Sequence, residues 1–410
     1  MIFEDETLQG FGPLTMLRHA GQLGRGTGSL IQALRESIVE ATELVLWGRS
    51  ALNEVCKESV GMAYNTSVDG IATLVNARAK PGSLLMDLTS RKTPFVALSG
   101  TQVFASRVAV CDMIPGPITR KDAVKLSKSI EKLEVPPDSI FQGYWDLVRS
   151  NGMAIAEQAK EKESALHVST SVEVKGPRLK VRVDGNAEVE SHVTLDTRLG
   201  PIVIGGGALI ESFSRITGPS YIGPRTKIHS AQIGGGTSVF EGCKVGGQIE
   251  NSIVMSHTNK VHCGYIGDSY IGEWVNLGAG STFSNMKNTY GSVRLELGLG
   301  KFDTGMIKLG PVVGDMSKTS IGSLVYSGKS LGTGCQVAGT LRKNVPSFTY
   351  FGGSGSLVEL SIESILDTQR RMMERRGKTL TRASEALIRE AFKDSSKERK
   401  KAEVVRGRLL

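Results

Sequence analysis

No stretch of this 410-residue chain reaches 18 consecutive apolar residues, so a membrane-spanning helix is not expected. The opening MIFEDETLQG is acidic and lacks the basic-then-apolar order of a signal peptide. Cysteine is scarce: Cys56, Cys111, Cys243, Cys263 and Cys335 are odd in number and form no C-x-x-C pair. That speaks against a disulfide framework or a zinc knuckle. It suits a reducing cytoplasm in which each thiol is a small buried hydrophobe. Outside its last tenth the chain carries almost no net charge. Residues 369–410 hold 14 Lys/Arg against 6 Asp/Glu, which accounts for nearly all of the formal +9. Arg370, Arg371, Arg375, Arg376, Lys397, Arg399, Lys400 and Lys401 could meet nucleic acid or an anionic surface. Phe392 alone is aromatic among them, too little for base stacking, so a solvated helix packed on an oligomer is the better expectation.

What the chain does have is a six-residue beat. Ile204, Ile210, Ile216, Ile222 and Ile228 stand six apart. After a one-residue slip the beat resumes at Ile233, Val239 and Val245, and it returns at Ile271 and Leu277. Gly often follows the beat residue, as at Gly205, Gly223, Gly234, Gly246 and Gly272. Neither a heptad nor a 3.6-residue stripe gives this period. Three six-residue sides make one triangular turn of a β-helix. Its aliphatic residues stack inside, and Gly or small polar residues take the corners.

The rest of the chain divides around that stack. Residues 1–160 read as a mixed α/β domain. A strand starts at residues 1–3 and a helix at Ser29. Short strands follow at 42–47 and 71–75, and 95–98 with 103–110 form a hairpin around Ser99-Gly100. Residues 145–158 suit an amphipathic helix with Trp145, Val148, Met153 and Ile155 as its apolar members. The Lys/Glu-rich 159–164 reads as a linker. Residues 165–200, with the segment VEVKGPRLKVRV, lead into a stack (165–353) that an excursion at 285–310 interrupts. The basic tail, 354–410, reads as helices at 354–366 and 379–393. Leu380, Leu387 and Ala391 share a face of the second, and the last residues are charged and without fixed structure.

Polar residues that break the beat are where chemistry belongs. His257, Lys260, His262, Tyr265, Asn276, Asn285 and Lys287 fall within 31 residues. On a β-helix, residues about 18 apart stack on one side of adjacent turns, so such a cluster can converge at a cleft between neighbouring subunits. The chemistry suggested is acyl transfer to an amine. An imidazole accepts the amine proton near neutrality, Asn and backbone N–H groups hold a hydroxyl or an oxyanion, and Lys supplies a point charge for phosphate. The alternative is a hydrogen-bonded histidine with a structural role.

The run His262-Cys-Gly-Tyr265-Ile-Gly-Asp268, then Asn276-Leu-Gly-Ala-Gly280, then Asn285, resembles the acetyltransferase half of the bifunctional N-acetylglucosamine-1-phosphate uridyltransferase/glucosamine-1-phosphate acetyltransferases. GDSYIGEWVNLGAG, Asn285-x-Lys287-Asn288, Asp303-Thr-Gly, Gly314-Asp-Met-Ser-Lys318 and Pro346-Ser-Phe resemble the related sugar nucleotidyltransferases with a divergent N-terminal domain. The resemblance implies a degenerate nucleotidyltransferase-like domain before a left-handed β-helix that trimerises. It implies His262 as the general base for a glucosamine amine, with Asn285 orienting the histidine or the acetyl group. It also implies that Tyr265, Asn276, Lys260 and Lys287 contact the sugar phosphate, and that acetyl-CoA lies along the coils near Ala279 and Lys318.

The N-terminal half lacks the Leu-x-x-Gly-x-Gly-Thr-Arg-Met loop that usually cradles a triphosphate after the first strand. It resembles instead the divergent branch, with Ile2-Phe3-Glu4-Asp5, Leu14-Thr15, Arg18, Gly26 and Val75-Asn76-Ala77-Arg78. That resemblance points to Arg18, Gly26 and Asn76 as nucleotide contacts. The Gly-rich run 24–29 could bind phosphate at a helix start, or be a flexible turn with Ser29 as N-cap. No acidic pair is clearly set to hold the Mg²⁺ that nucleotidyl transfer needs.

Three rival readings stay open. Sugar-1-phosphate nucleotidyl transfer could be the main activity, or the protein could be a non-enzymatic trimeric scaffold. His229, His257 and His262 could also hold zinc across an interface, as in trimeric β-helix carbonic anhydrases, although 28 residues from His229 to His257 is not a multiple of the turn.

Overall fold

The six-residue beat becomes the inner lining of a three-sided parallel coil. The computed structural model describes residues 1–39, 43–66, 70–109, 116–119, 121–122, 130–159, 170–298, 300–353 and 355–407. In it Ile204 pairs with Ile222, eighteen residues on, and Ile222 with Val239, seventeen on. Ile216 pairs with Ile233 and Ile228 with Val245 on the other two sides. The one-residue slip falls where the register shifts between His229 and Gln232. All of these aliphatic side chains are buried, each contributing about 1.5–3 kcal/mol. Two seven-residue strands, Lys227–Ile233 and Lys244–Glu250, run through a corner and join two faces into one 17-stranded sheet; the third face is an eight-stranded sheet. The fold is the expected one: an α/β unit, a left-handed parallel β-helix and a helical tail.

The coil starts earlier than the beat suggests. Glu173–Lys175 and Val181–Val183 do not lead into the stack. They are already rungs, pairing with Thr194–Asp196 and Ile202–Ile204, because Val181 and Val183 point inward. The excursion at 285–310 is an insertion within one rung: Ile271 pairs with Val313 across it. It folds as an antiparallel hairpin, Arg294–Leu297 with Gly300–Asp303. Its Val293, Leu295 and Leu297 pack with Phe11 and Leu14, which ties the coil to the N-terminal unit.

That unit is built on a seven-stranded sheet in the order Ala63–Tyr64, Val45–Trp47, Ile2–Phe3, Ile71–Asn76, Gln102–Ala109, Phe95–Ser99, Glu131–Glu134. The first four strands are parallel, as are the last two. The expected hairpin is present, turning at Gly100 with φ +59°. Helices α1 (Leu30–Glu36), α2 (Asn53–Val60), α3 (Ser83–Thr89) and α4 (Tyr144–Gln158) accompany the sheet. Leu147, Val148 and Ile155 of α4 are buried, whereas Met153, expected on the apolar face, is exposed. Leu147 and Val148 pack with Ile253, Tyr270 and Val312 of the eight-stranded face. Most of the expected linker, 160–164, lies outside the described residues, as does Cys111.

The tail differs from its expected form. Leu357–Glu359 is a strand, antiparallel to Thr349–Phe351, and its buried Leu357 joins the core at the open end of the coil. Helix α5 (Ile362–Glu374) starts only after it, and α6 (Arg382–Asp394) is capped by Thr381, which leaves Leu380 before the helix. The charged end is not without structure. Residues Ser396–Lys401 form α7, anchored where buried Arg399 pairs with Glu359 at 2.7 Å.

Candidate functional site

His262 sits at a corner of the coil, between the strands Asn259–Lys260 and Tyr265–Gly267. Its side chain is exposed and has no hydrogen-bond partner among the described residues. The corner above it is Gly246-Gly247. A Cβ at Gly246 would collide with the Val261 carbonyl, so only glycine allows this approach. The corner below is Ala279-Gly280, where the Gly280 N–H donates to the Cys263 carbonyl at 3.0 Å and the Gly322 N–H to Ala279 at 2.7 Å. Ala279 therefore lies one rung below the histidine, in the same column of corners.

Around the corner stands a polar group that the sequence brings together only through the rung repeat. The Asn285 Nδ2 donates to the Tyr265 hydroxyl at 3.1 Å and to Asp268. Asn251 donates to the other Asp268 oxygen at 2.6 Å, and Tyr265 donates to Glu250 at 3.4 Å. Burial and the neighbouring Glu250 and Asp268 carboxylates push the Tyr265 phenol up to about 12, which keeps it a proton donor at neutral pH. Burial raises Asp268 too, against the two Asn donors. Sequence gives no sign of Glu250 or Asn251, and it places Asp268 in the motif without a role. A seventeen-residue rung step from Asn251 to Asp268 to Asn285 would have found them. Lys287, two residues beyond Asn285, is half-buried at the start of the excursion.

Lys260 corrects an expectation. It occupies a beat position, in register with Val245, and its side chain turns into the coil, leaving the residue 1% exposed. Its ammonium donates to the backbone carbonyls of His262 and Cys263 (the latter at 3.0 Å), so it anchors the histidine corner and does not reach a substrate. Burial lowers it to about 8. Because the unfolded chain holds this proton up to about 10.5, the group's contribution to stability rises with pH between those values. The difference in melting temperature between Lys260→Met and wild type is therefore expected to favour the variant most below pH 8. It should shrink toward pH 10.5, as read by thermal-unfolding scans across that range. A difference that does not change with pH would refute the assignment.

Asn276 and Lys318, expected at the sugar phosphate and the acyl donor, are neighbours on the adjacent flat face. There they look across a cleft at α5, away from the Tyr265 group. Asn276 accepts from Asn259 at 2.8 Å, and Lys318 donates to the Met316 carbonyl at 2.8 Å.

The N-terminal candidates are all committed to structural contacts. Arg18 is buried between Glu273 (2.8 Å) and Asp315 (2.7 Å) of the β-helix, an ion-pair set that holds its guanidinium protonated. The Gly26 N–H donates to Asn151 at 2.7 Å and the Thr27 N–H to Gln158 at 2.6 Å. Ser29 and Gln32 cap each other's N–H groups. The run 24–29 is thus a turn packed on α4, with no free N–H cradle for phosphate. Asn76 is buried and bonds Asp5 (2.8 Å) and the Val103 carbonyl (2.9 Å). Asp5 in turn pairs with Arg78. These residues do not fit a nucleotide with Mg²⁺. The imidazoles of the zinc reading also have partners: His229 meets Glu211 at 2.9 Å, and His257 stacks on Trp274 with centroids 4.4 Å apart.

No family profile matches the chain. Over 151 residues it is 30% identical to the bifunctional protein GlmU of Synechococcus elongatus, a match that takes in 35% of this chain and 28% of that one. Over 243 residues it is 26% identical to the bifunctional sugar-1-phosphate nucleotidylyltransferase/acetyltransferase of Sulfurisphaera tokodaii, covering 50% of this chain and 59% of that one. The chain thus spans between about a quarter and three fifths of these curated relatives. A solved UDP-N-acetylglucosamine acyltransferase from Campylobacter jejuni matches 54% of this chain and 94% of its own, at 12% identity and a TM-score of 0.31. The resemblance carried by His262, Tyr265, Asn276 and Asn285 is borne out as a similarity to the uridyltransferase/acetyltransferase group. Among the described residues no helix is long and apolar enough to cross a membrane.

Proposed function

We propose that this protein is a transferase acting on sugar phosphates, and that its His262 corner moves an acetyl group from acetyl-CoA to the amine of an amino-sugar 1-phosphate. The observation that carries this reading is an exposed imidazole, without a partner among the described residues, beside an anchored phenol–amide pair, Tyr265 and Asn285. His262 takes the amine proton as the nitrogen attacks the thioester carbonyl. The C–S bond then breaks and the departing thiolate takes up a proton. Tyr265 and Asn285 hold the sugar, Lys287 faces its phosphate, and the acyl donor lies along the corner column through Ala279. The names of the relatives support acyl and nucleotidyl transfer to sugar phosphates in general.

The site is completed by a second copy in a trimer. Ile321, Leu324 and Tyr326, on the rungs below Tyr265, are exposed apolar side chains that a neighbouring coil would cover. Nucleotidyl transfer has less support, because Arg18, Gly26 and Asn76 are already engaged. The test is thiol release from acetyl-CoA with a panel of amino-sugar phosphates, alongside pyrophosphate release over all nucleoside triphosphates. Thiol release with an amino sugar supports the reading. Its absence with every amino sugar, or pyrophosphate release alone, overturns it.

A further inference from the structure

Helix α5 lies over the flat face of the coil that carries Lys244, Asn259, Asn276 and Lys318. These four are successive partners in one ladder. The helix presents Thr368, Arg371 and Met372, at helical i, i+3 and i+4 spacing, with Arg375 at its C-cap one turn on and Arg376 just beyond. A cleft of about 370 Å³ separates the two walls. Of its nine lining residues, five are cationic and none is acidic.

Three arginines close by in the tail are matched: Arg370 pairs with Asp367 and Glu385, Arg389 with Glu363 and Glu385, and Arg399 with Glu359. By contrast the side chains of Lys244, Arg371 and Arg375 have no hydrogen bond or ion pair among the described residues. Arg376 and Lys318 donate only to backbone carbonyls. The charges depress one another. Lys244 is lowered by desolvation first and then by Arg376, Lys227 and Arg375, and burial brings Lys318 down to about 8. Basic residues near a helix C-terminus gain from the macrodipole. That accounts for Arg371 and Arg375 but not for two lysines on the facing ladder.

We propose that this cleft is a binding site for an oligophosphate, the chemistry shared by an inorganic polyphosphate and a nucleoside di- or triphosphate. Lys244 and Lys318 lie three rungs apart, roughly 14 Å at the usual strand spacing. A chain of two or three phosphates can lie along the ladder, with the Asn259 and Asn276 amides between the lysines and the arginine forks closing from above. This site does not rest on the acyl-transfer reading. It uses a face adjacent to the His262 corner and would stand if that corner proved inert.

The test is titration calorimetry on the intact chain with two probes, inorganic triphosphate and ADP. Wild type is expected to bind triphosphate at one site per chain. Arg371→Gln/Arg375→Gln on the helix wall and Lys244→Gln on the ladder wall should each weaken it by about tenfold or more. Lys400→Gln, an exposed tail lysine outside the cleft, should leave it unchanged. ADP binding more tightly than triphosphate would assign the ligand as a nucleotide, and the reverse as a bare phosphate chain; both support the site. No heat with either probe at millimolar concentration overturns it. So does a loss in Lys400→Gln equal to that in the cleft variants, which would mean diffuse attraction.

Discussion

His262→Gln is expected to lower kcat/KM for the proposed amine acetylation by about 10²- to 10⁴-fold while leaving the fold intact, because the side chain is exposed and bonds nothing among the described residues. The size follows from what a positioned base contributes to a proton transfer. Glutamine retains the shape and some hydrogen bonding but cannot accept a proton at neutral pH. The loss should appear mainly in kcat, since Tyr265 and Asn285 would still bind the sugar. Steady-state thiol release with wild type and variant checks this, with unfolding temperature as the control. A variant with wild-type kcat would remove His262 from the chemistry.

Arg18→Ala is expected to destabilise the protein by about 3–5 kcal/mol, the usual cost of leaving a buried charge without its partner. Arg18 comes from the N-terminal unit, while Glu273 and Asp315 belong to the coil, so the set joins the two. Asp315 is buried and its carboxyl is raised by that burial, with the nearby Glu273 charge adding to the effect. Without the guanidinium, two carboxylates face each other, and the Asp315 oxygen that accepts the Glu273 N–H at 2.7 Å has no neutralising charge nearby. Adding Asp315→Asn to an Arg18→Met background removes the orphan charge and should restore much of the loss. Urea-unfolding midpoints of the single and double variants decide this. An unchanged midpoint in Arg18→Ala would show that the network carries no weight.

The coil was legible in the sequence because its period is short and local. Each of Ile204, Ile222 and Val239 must face inward, and the spacing records that directly. The excursion at 285–310 was legible for the same reason, as a break in the count. The tail strand Leu357–Glu359 was not. Its partner strand is set by the need to close the last rung, which leaves no periodic trace. Residue type points Lys260 to a substrate, but register overrides type. It stands at a beat position, and register sends its side chain inward whatever its charge. Local pattern points to Arg18, Gly26 and Asn76 as nucleotide contacts, but their partners Asp315, Asn151 and Asp5 are fixed by tertiary packing. The resemblance gives Tyr265 and Asn285 separate roles, and the rung repeat brings them into hydrogen-bond contact. Asp268 stands in the motif, but its part in joining Asn251 and Asn285 shows only through the seventeen-residue step.

In the proposed reaction one imidazole works at the seam between coils. The most direct measurement is a crystal structure soaked with an amino-sugar 1-phosphate and coenzyme A. It should show a trimer with the sugar nitrogen within hydrogen-bond reach of a His262 ring nitrogen, and the sulfur beside the Ala279 corner. A monomeric assembly, or both ligands ordered away from His262, would contradict it.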